Sequence, residues 1–173
     1  IADVIEAVHR RHPSFGVVVI DDGSIDNTAR IVSASPHADL VRLPYNLGIG
    51  GAMQTGYKYA QREGYDIAIH CDAAGQHPVC GGGIPDTTSG FRAANRRVIA
   101  LFAHNYPDDY PEAEALVFVH KHGLKACEVS VDMLPRQGGR SSISPRRAIY
   151  YIIKVSLAIF ISTFRDITRT PKS

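Results

Sequence analysis

The chain has 173 residues, which is the length of one ordinary globular domain. Its hydrophobic fraction of 45% and charged fraction of 21% exclude an intrinsically disordered chain. The net charge is only +2, which argues against the bulk electrostatic capture of nucleic acid. Three separated cysteines (Cys71, Cys80 and Cys127) form no zinc-binding or disulfide pattern and indicate reduced, cytoplasmic thiols.

The first half of the chain alternates predicted helices and strands. Residues 1–11 are amphipathic and predict a helix that lacks a start signal, so we expect a further segment before residue 1. The run 15–20 contains four consecutive β-branched residues and predicts a strand that is buried on both faces. The next predicted elements are a helix over 26–33, a strand over 39–43, a helix from the run 46–51 to about residue 63, and a strand over 66–71. This order predicts an α/β fold with a mostly parallel sheet flanked by helices.

The predicted elements in the second half of the chain follow a less regular order. Helices are predicted over 95–103 and 111–123, a strand over 125–133, and a polar loop over 136–142. The glycine run at 78–84 follows a strand with no periodic element between them. We interpret it as a point at which residues are absent from the sequence, and a flexible glycine loop is the alternative.

The apolar run 148–164 has 17 residues, which is about the lower limit for spanning a bilayer. Lys154 near its middle favours an interfacial amphipathic helix, and a core or oligomer-interface helix is the alternative. We therefore divide the chain into a main domain over 1–145 and a C-terminal helix over 146–173.

Acidic side chains follow two of the predicted strands. Asp21 and Asp22 end the first strand, and Asp72 follows the third. Ligands bind beyond the carboxyl ends of strands in open α/β sheets, where a carboxylate can accept from a nucleoside or hold a divalent cation. An Asp-Gly turn that caps a helix explains either motif alone, whereas two acidic strand ends favour a ligand site. The run 46–51 is no dinucleotide fingerprint, because Met53 stands where the last glycine belongs, and it predicts close packing at a helix start.

Four segments, in order, resemble the family 2 glycosyltransferases of the GT-A fold: VVIDDGSIDNT (18–28), PYNLGIGGAMQTGYKY (44–59), CDAAGQHP (71–78) and DTTSGFRAANRR (86–97). Within that family the dolichol- or polyprenyl-phosphate sugar transferases are the most similar branch. The resemblance implies an inverting transferase that uses a UDP- or GDP-linked sugar, a polyprenyl-phosphate acceptor and Mg²⁺ or Mn²⁺. It also implies action at the cytoplasmic face of the membrane in cell-wall or polysaccharide biosynthesis, with peripheral membrane contact or a homo-oligomer through the C-terminal helix. An opening strand and a longer segment before the SGFR motif are usual in this family, in line with the two expected gaps.

The resemblance assigns roles to individual acids. Asp21 and Asp22 correspond to the nucleoside-binding pair, Asp72 to the first acid of the DXD motif, and Gln76 to an additional metal ligand. Ala74 stands at the second acidic position and offers no oxygen to a hard cation, so we expect impaired metal binding. An engineered substitution, which the intact remainder of the motif favours, and a natural loss are both open.

The resemblance also assigns cationic and basic roles. Arg92 corresponds to a phosphate-facing arginine, and Arg136, Arg140 and Ser141 to a loop that closes over the donor diphosphate and the acceptor phosphate. Glu114 is a candidate general base, which an already anionic phosphate acceptor hardly needs. A glycosyltransferase that acts on a saccharide in polysaccharide assembly is an alternative, and it would need that base. A catalytically dead nucleotide-sugar-binding module is a further alternative.

Overall fold

The structure is a computed structural model that describes residues 1–71, 91–107 and 111–127. Helices and strands alternate through the first of these ranges, as the sequence predicts. The elements are α1 (Ala2–Arg11), β1 (Val18–Asp21), α2 (Thr28–Ser33), β2 (Asp39–Arg42), α3 (Gly48–Arg62), β3 (Ile67–His70), β4 (Arg92–Asn95), α4 (Arg96–His104) and α5 (Pro111–Lys121).

Short polar side chains accept backbone amides at the start of two helices. Asn95 is the N-cap of α4, and its Oδ1 accepts the Val98 N–H at 3.1 Å. The predicted helix over 26–33 begins only at Thr28, whose N–H donates to Asp26 Oδ1 at 2.9 Å in the turn before α2. In both cases the side chain satisfies an amide that the first helical turn leaves unpaired.

Strands β1 and β2 form a parallel pair joined by α2. Val18 lies opposite Asp39 and Asp21 lies opposite Arg42, so the two strands end together. Helix α3 packs on β1 through Gly56, where an added methyl group would lie 3.7 Å from Cγ1 of Ile20. This βαβ unit confirms the predicted α/β class and agrees with a GT-A fold.

The third strand differs from the expectation. The predicted parallel sheet would include β3, but among the described residues β3 pairs with β4, which runs antiparallel to it. The sequence did not predict β4, because Arg-Ala-Ala-Asn contains no β-branched or aromatic residue. Its pairing with β3 and its buried Ala94 make it a strand nonetheless.

The amino ends of β1 and β3 lie at one edge of the molecule. A methyl group built on Gly16, just before β1, would overlap the hydroxyl group of Tyr65, just before β3. The carboxyl end of β1 meets the start of α3 instead, through the contact of Asp22 with Leu47. The start of α3 therefore lies at the carboxyl end of β1, which is the edge where ligands bind in such folds.

The core lies where α3, α4 and α5 meet β4. Tyr57, Phe102 and Tyr106 form an aromatic cluster with ring centroids 4.9–5.5 Å apart. The other buried members of this core are Ala60, Ala94, Ile99, Ala103, Ala115 and Val119. It anchors α3, whose other end carries the candidate site.

Several expectations lie outside the described residues. They concern the glycine run at 78–84, residues 128–133 of the predicted last strand, the loop 136–142 and the C-terminal helix over 146–173. Within the described ranges, no helix has both the length and the apolar character that a membrane crossing requires.

Candidate functional site

Asp21 ends β1 as a buried carboxylate, with 2% of its surface exposed. Its Oδ1 accepts the Ser24 N–H at 2.8 Å, which closes the turn after the strand. Hydrogen bonds from the side chain and backbone of Ser24 lower the pKa of Asp21 below its usual value of 3.8, against the opposing effect of burial. The Arg42 guanidinium adds to the lowering, so Asp21 is a buried anion at neutral pH.

Asp22 is only half-buried and connects two loops. Its Oδ1 accepts the Leu47 N–H at 2.6 Å, and its backbone carbonyl accepts the Asn46 side-chain amide at 3.0 Å. Asn46 Oδ1 in turn accepts the Gly48 N–H at 3.0 Å. The loop after β1 and the start of α3 therefore form one hydrogen-bonded unit at the carboxyl end of β1.

Gly23 makes the close contact of these loops possible. Its φ of +82° lies in the left-handed region that favours glycine, and a Cβ at this position would lie 3.3 Å from the backbone nitrogen of Asn46. The predicted close packing at the start of α3 is also present at Gly51. A Cβ built there would lie 2.5 Å from the Cβ of Leu47.

The two acids therefore occupy different environments. Both oxygens of Asp21 are screened from solvent by its burial, whereas Asp22 remains partly exposed beside the loops. Of the pair, Asp22 is the one from which a ligand can reach a carboxylate without displacing packed atoms. Asp21 is placed to hold the turn that carries Asp22.

Arg42 is the residue of this site that the sequence analysis missed. It ends β2 directly opposite Asp21, and its Nε lies 3.5 Å from Asp21 Oδ2 while 64% of its side chain is exposed. Its position at the end of the strand after the acidic pair is a usable signal, because parallel strands in register bring their last residues together.

Arg92 lies at the carboxyl end of β3, although it belongs to β4. The antiparallel register pairs it with His70, two residues before Asp72 in the sequence. It is half-buried, and its positive charge acts on the buried Tyr57 of α3. Pairing of β3 with β4 thus brings a cation to the strand end that leads into the predicted metal motif.

Of the remaining predicted site residues, the structure describes Glu114. Glu114 is half-buried on α5, one residue before the buried Ala115. Asp72, Gln76, Arg136, Arg140 and Ser141 lie outside the described residues. Within the described ranges, no three His, Cys, Asp or Glu side chains come together in a way that could hold a metal ion.

The similarity to known proteins lies in the first half of the chain, which contains the Asp21–Asp22 turn. Residues 1–79 match the family described as Glycosyl transferase family 2. A polyprenol monophosphomannose synthase from Mycolicibacterium smegmatis is 30% identical over 79 residues, which cover 43% of this chain and 30% of that protein. A UDP-N-acetylglucosamine–dolichyl-phosphate N-acetylglucosaminyltransferase from Methanococcus voltae is 32% identical over 84 residues, covering 39% of this chain and 34% of that protein.

The chain thus spans about a third of the length of these curated relatives. No solved structure matches it. The matched residues contain β1, the Asp21–Asp22 turn and the start of α3, so the similarity covers the loops that build the candidate site. These matches confirm the resemblance drawn from the motifs: residues 1–79 are similar to family 2 glycosyltransferases, and the branch they resemble is that of the polyprenyl- and dolichyl-phosphate sugar transferases.

Proposed function

We propose that the protein is a glycosyltransferase that moves a sugar from a nucleotide-diphosphate sugar to a polyprenyl phosphate. The observation that carries the proposal is the hydrogen-bonded unit at the end of β1, which presents a half-buried carboxylate at the sheet edge where nucleotides bind. The names of the two relatives, a polyprenol monophosphomannose synthase and a dolichyl-phosphate N-acetylglucosaminyltransferase, support the lipid-phosphate acceptor.

Asp22 supplies the nucleoside contact in this proposal. A carboxylate oxygen accepts strongly from a ring N–H of uracil or guanine or from a ribose hydroxyl group. Asp21 keeps the turn in place rather than touching the ligand, because its carboxylate is buried. The pair that the sequence analysis treated as equivalent acids therefore divides into one ligand-facing residue and one supporting residue.

In this proposal, cationic side chains bind the donor diphosphate and the acceptor phosphate. Arg92 is proposed to face the donor diphosphate, and the pairing of its strand with β3 supports this by bringing it to the end of that strand. Arg136, Arg140 and Ser141 are proposed to close over the diphosphate and the incoming acceptor phosphate. Guanidinium groups offset the repulsion between two anions and the charge that develops on the leaving diphosphate.

A divalent cation, Mg²⁺ or Mn²⁺, is the proposed cofactor. When bound, such a cation neutralises charge on the leaving diphosphate. Asp72 and Gln76 supply hard oxygen donors of the kind these cations prefer, while Ala74 supplies none. The protein's own donor set is therefore reduced, and we expect weak cation binding that improves when a nucleotide diphosphate adds its oxygens.

A lipid acceptor implies work at a membrane surface, and we propose the cytoplasmic face. The C-terminal run 148–164, with Lys154 inside it and Arg146, Arg147 and Arg165 at its ends, supports peripheral contact with lipid or with a second copy of the chain. A saccharide acceptor is the variant of this proposal that makes Glu114 the general base.

A second candidate function rests on Ala74. Loss of one metal-ligating oxygen in an otherwise intact motif would suit a protein that binds nucleotide sugars without transferring them. This candidate predicts nucleotide-sugar binding with no turnover, whichever residue stands at position 74.

Calorimetric titration with UDP- and GDP-linked sugars, with Mn²⁺ present, tests the donor site. We expect one nucleotide series to bind, and Asp22→Ala to weaken that binding more than Glu63→Ala, an exposed carboxylate at the other end of α3. Equal affinity in the two variants would contradict the assignment of Asp22.

A further inference from the structure

The connection between β2 and α3 is tied to β1 at both of its ends. At its start, the Leu43 N–H donates to the Asp21 carbonyl at 2.9 Å, and Arg42 Nε lies 3.5 Å from Asp21 Oδ2. At its end, the Leu47 N–H donates to Asp22 Oδ1 at 2.6 Å. Two consecutive residues at the end of β1, Asp21 and Asp22, therefore bind both ends of this connection. Asp22, the candidate nucleoside contact, is one of them.

The Asp21 carboxylate uses its two oxygens differently. Oδ1 accepts the Ser24 N–H, whereas Oδ2 is buried and accepts no hydrogen bond from any group in the part of the chain that the structure describes. A buried carboxylate has lost its hydration and needs a compensating charge. Arg42 is the cation that the described residues place within ion-pair distance, and a separation of 3.5 Å makes the contact Coulombic rather than a directed hydrogen bond.

We propose that Arg42 is a positioning residue of the nucleoside subsite, whose ion pair with Asp21 holds the turn that presents Asp22. The inference rests on the proposed function, in which Asp22 faces the nucleoside. Arg42 acts through Asp21 and the Ser24 turn and does not touch the nucleoside itself. Among the described residues, the charged groups that act on Asp21 are Arg42 from β2, which favours the ionised carboxylate, and Asp26 from the segment before α2, which opposes it.

A purely structural role of the Arg42–Asp21 ion pair would give a different experimental result. If Arg42 only joined β1 to β2, its removal would lower the stability of the fold and leave the nucleotide affinity of the folded protein unchanged. If it positions the turn through Asp21, its removal weakens nucleotide binding and makes that binding more sensitive to acid. Because the contact is Coulombic, a lysine should replace the arginine.

The test uses the full chain with Arg42→Ala, Arg42→Lys and the control Arg62→Ala. Arg62 is a matched control, since 75% of its side chain is exposed and its ion pair with Glu63 lies at the other end of α3. UDP and GDP are titrated calorimetrically from about pH 7 downward, on samples whose circular dichroism shows the folded state. We expect Arg42→Ala to weaken nucleotide binding about fivefold at neutral pH and to move its acid limb to higher pH. Arg42→Lys should restore both properties, and Arg62→Ala should change neither.

A second readout needs no ligand. In NMR titrations, the resonance of the Ser24 amide, which donates to Asp21 Oδ1, should follow the ionisation of the Asp21 carboxyl group, with a higher midpoint in Arg42→Ala than in the unaltered chain. If nucleotides bind but Arg42→Ala changes neither affinity nor midpoint, or Arg42→Lys restores nothing, the role of Arg42 is refuted while the proposed function stands. If the resonances are coupled as expected but neither UDP nor GDP binds, the proposed function fails and the coupling of Arg42 to the turn stands.

Discussion

At the scale of single residues, Asp22 has a structural contact and a proposed ligand contact on one carboxylate. Its Oδ1 accepts the Leu47 N–H, and the rest of the group remains partly exposed. Two substitutions separate these contributions, because asparagine keeps an oxygen acceptor and loses the charge, whereas alanine loses both.

We expect Asp22→Ala to lower the free energy of unfolding by about 1 kcal/mol, since it leaves the Leu47 amide without its acceptor. Asp22→Asn should keep most of that stability but bind nucleotide about fivefold more weakly, because a neutral acceptor is weaker than an ionised one. Urea denaturation and calorimetry on the same samples measure the two effects. Equal stability of the two variants would contradict the role of the Leu47 contact.

Asp21 makes the stability of the protein depend on pH in a defined direction. Its pKa is lowered in the folded state from the value of 3.8, mainly by hydrogen bonds from Ser24, so its contribution is fully present above that value. The contribution is lost as the pH falls through the folded-state pKa, because the unfolded chain takes up the proton first. We expect the stability difference between the unaltered chain and Asp21→Asn to be largest near neutral pH and to shrink as the pH falls below about 4. Urea denaturation of both proteins across this range measures the difference, and a constant difference would show that Asp21 is not held ionised by the fold.

At the scale of elements, alanine substitutions of two glycines of α3 are expected to have opposite effects on stability. A Cβ at Gly51 would lie 2.5 Å from the Cβ of Leu47, and a Cβ at Gly56 would lie at an ordinary 3.7 Å from Cγ1 of Ile20. Alanine favours a helix over glycine by about 1 kcal/mol, so only the local contact separates the two substitutions.

We therefore expect Gly51→Ala to displace Leu47 from Asp22, to destabilise the fold by about 1–2 kcal/mol and to weaken nucleotide binding. Gly56→Ala serves as the control and should be neutral or stabilising by up to about 1 kcal/mol. Thermal denaturation and nucleotide titration of both variants measure this contrast. Normal nucleotide binding by Gly51→Ala would exclude a role for the Leu47 contact in the site.

The sequence predicted the helices of the described regions well, and their ends less well. The predicted ends of α5 and the predicted C-terminal end of α3 lie within two residues of the observed ends, and α3 buries one face that includes Gly50, Tyr57 and Ala60. The predicted helix over 26–33 began two residues early, because Asp26 and Asn27 belong to the turn before α2, where Asp26 accepts the Thr28 amide. Strand β4 has no local signal, and its pairing with β3 is a contact between distant segments.

At the scale of the whole molecule, the order of the motifs predicted the family resemblance and the fold class, whereas the geometry of the site could be seen only in the structure. Composition cannot show that Asp21 is buried while Asp22 is not, because both share one strand end and only packing separates them. The same holds for Arg42, whose role depends on the register of two strands. Ala74, in contrast, is recognised from the sequence as a departure from the motif. Its expected consequence is the loss of one oxygen ligand for a metal ion.

Sugar transfer by the chain carrying Ala74→Asp tests the central claim most directly. Radiolabelled UDP- and GDP-linked sugars are incubated with polyprenyl phosphate and Mg²⁺ or Mn²⁺, with the unaltered chain as the control, and label is counted in the lipid phase. The account predicts cation-dependent label in the lipid with one nucleotide series, at least about tenfold above the unaltered chain, because a metal-ligating oxygen has been returned. Binding of the nucleotide sugar by Ala74→Asp with no transfer to the lipid would contradict it.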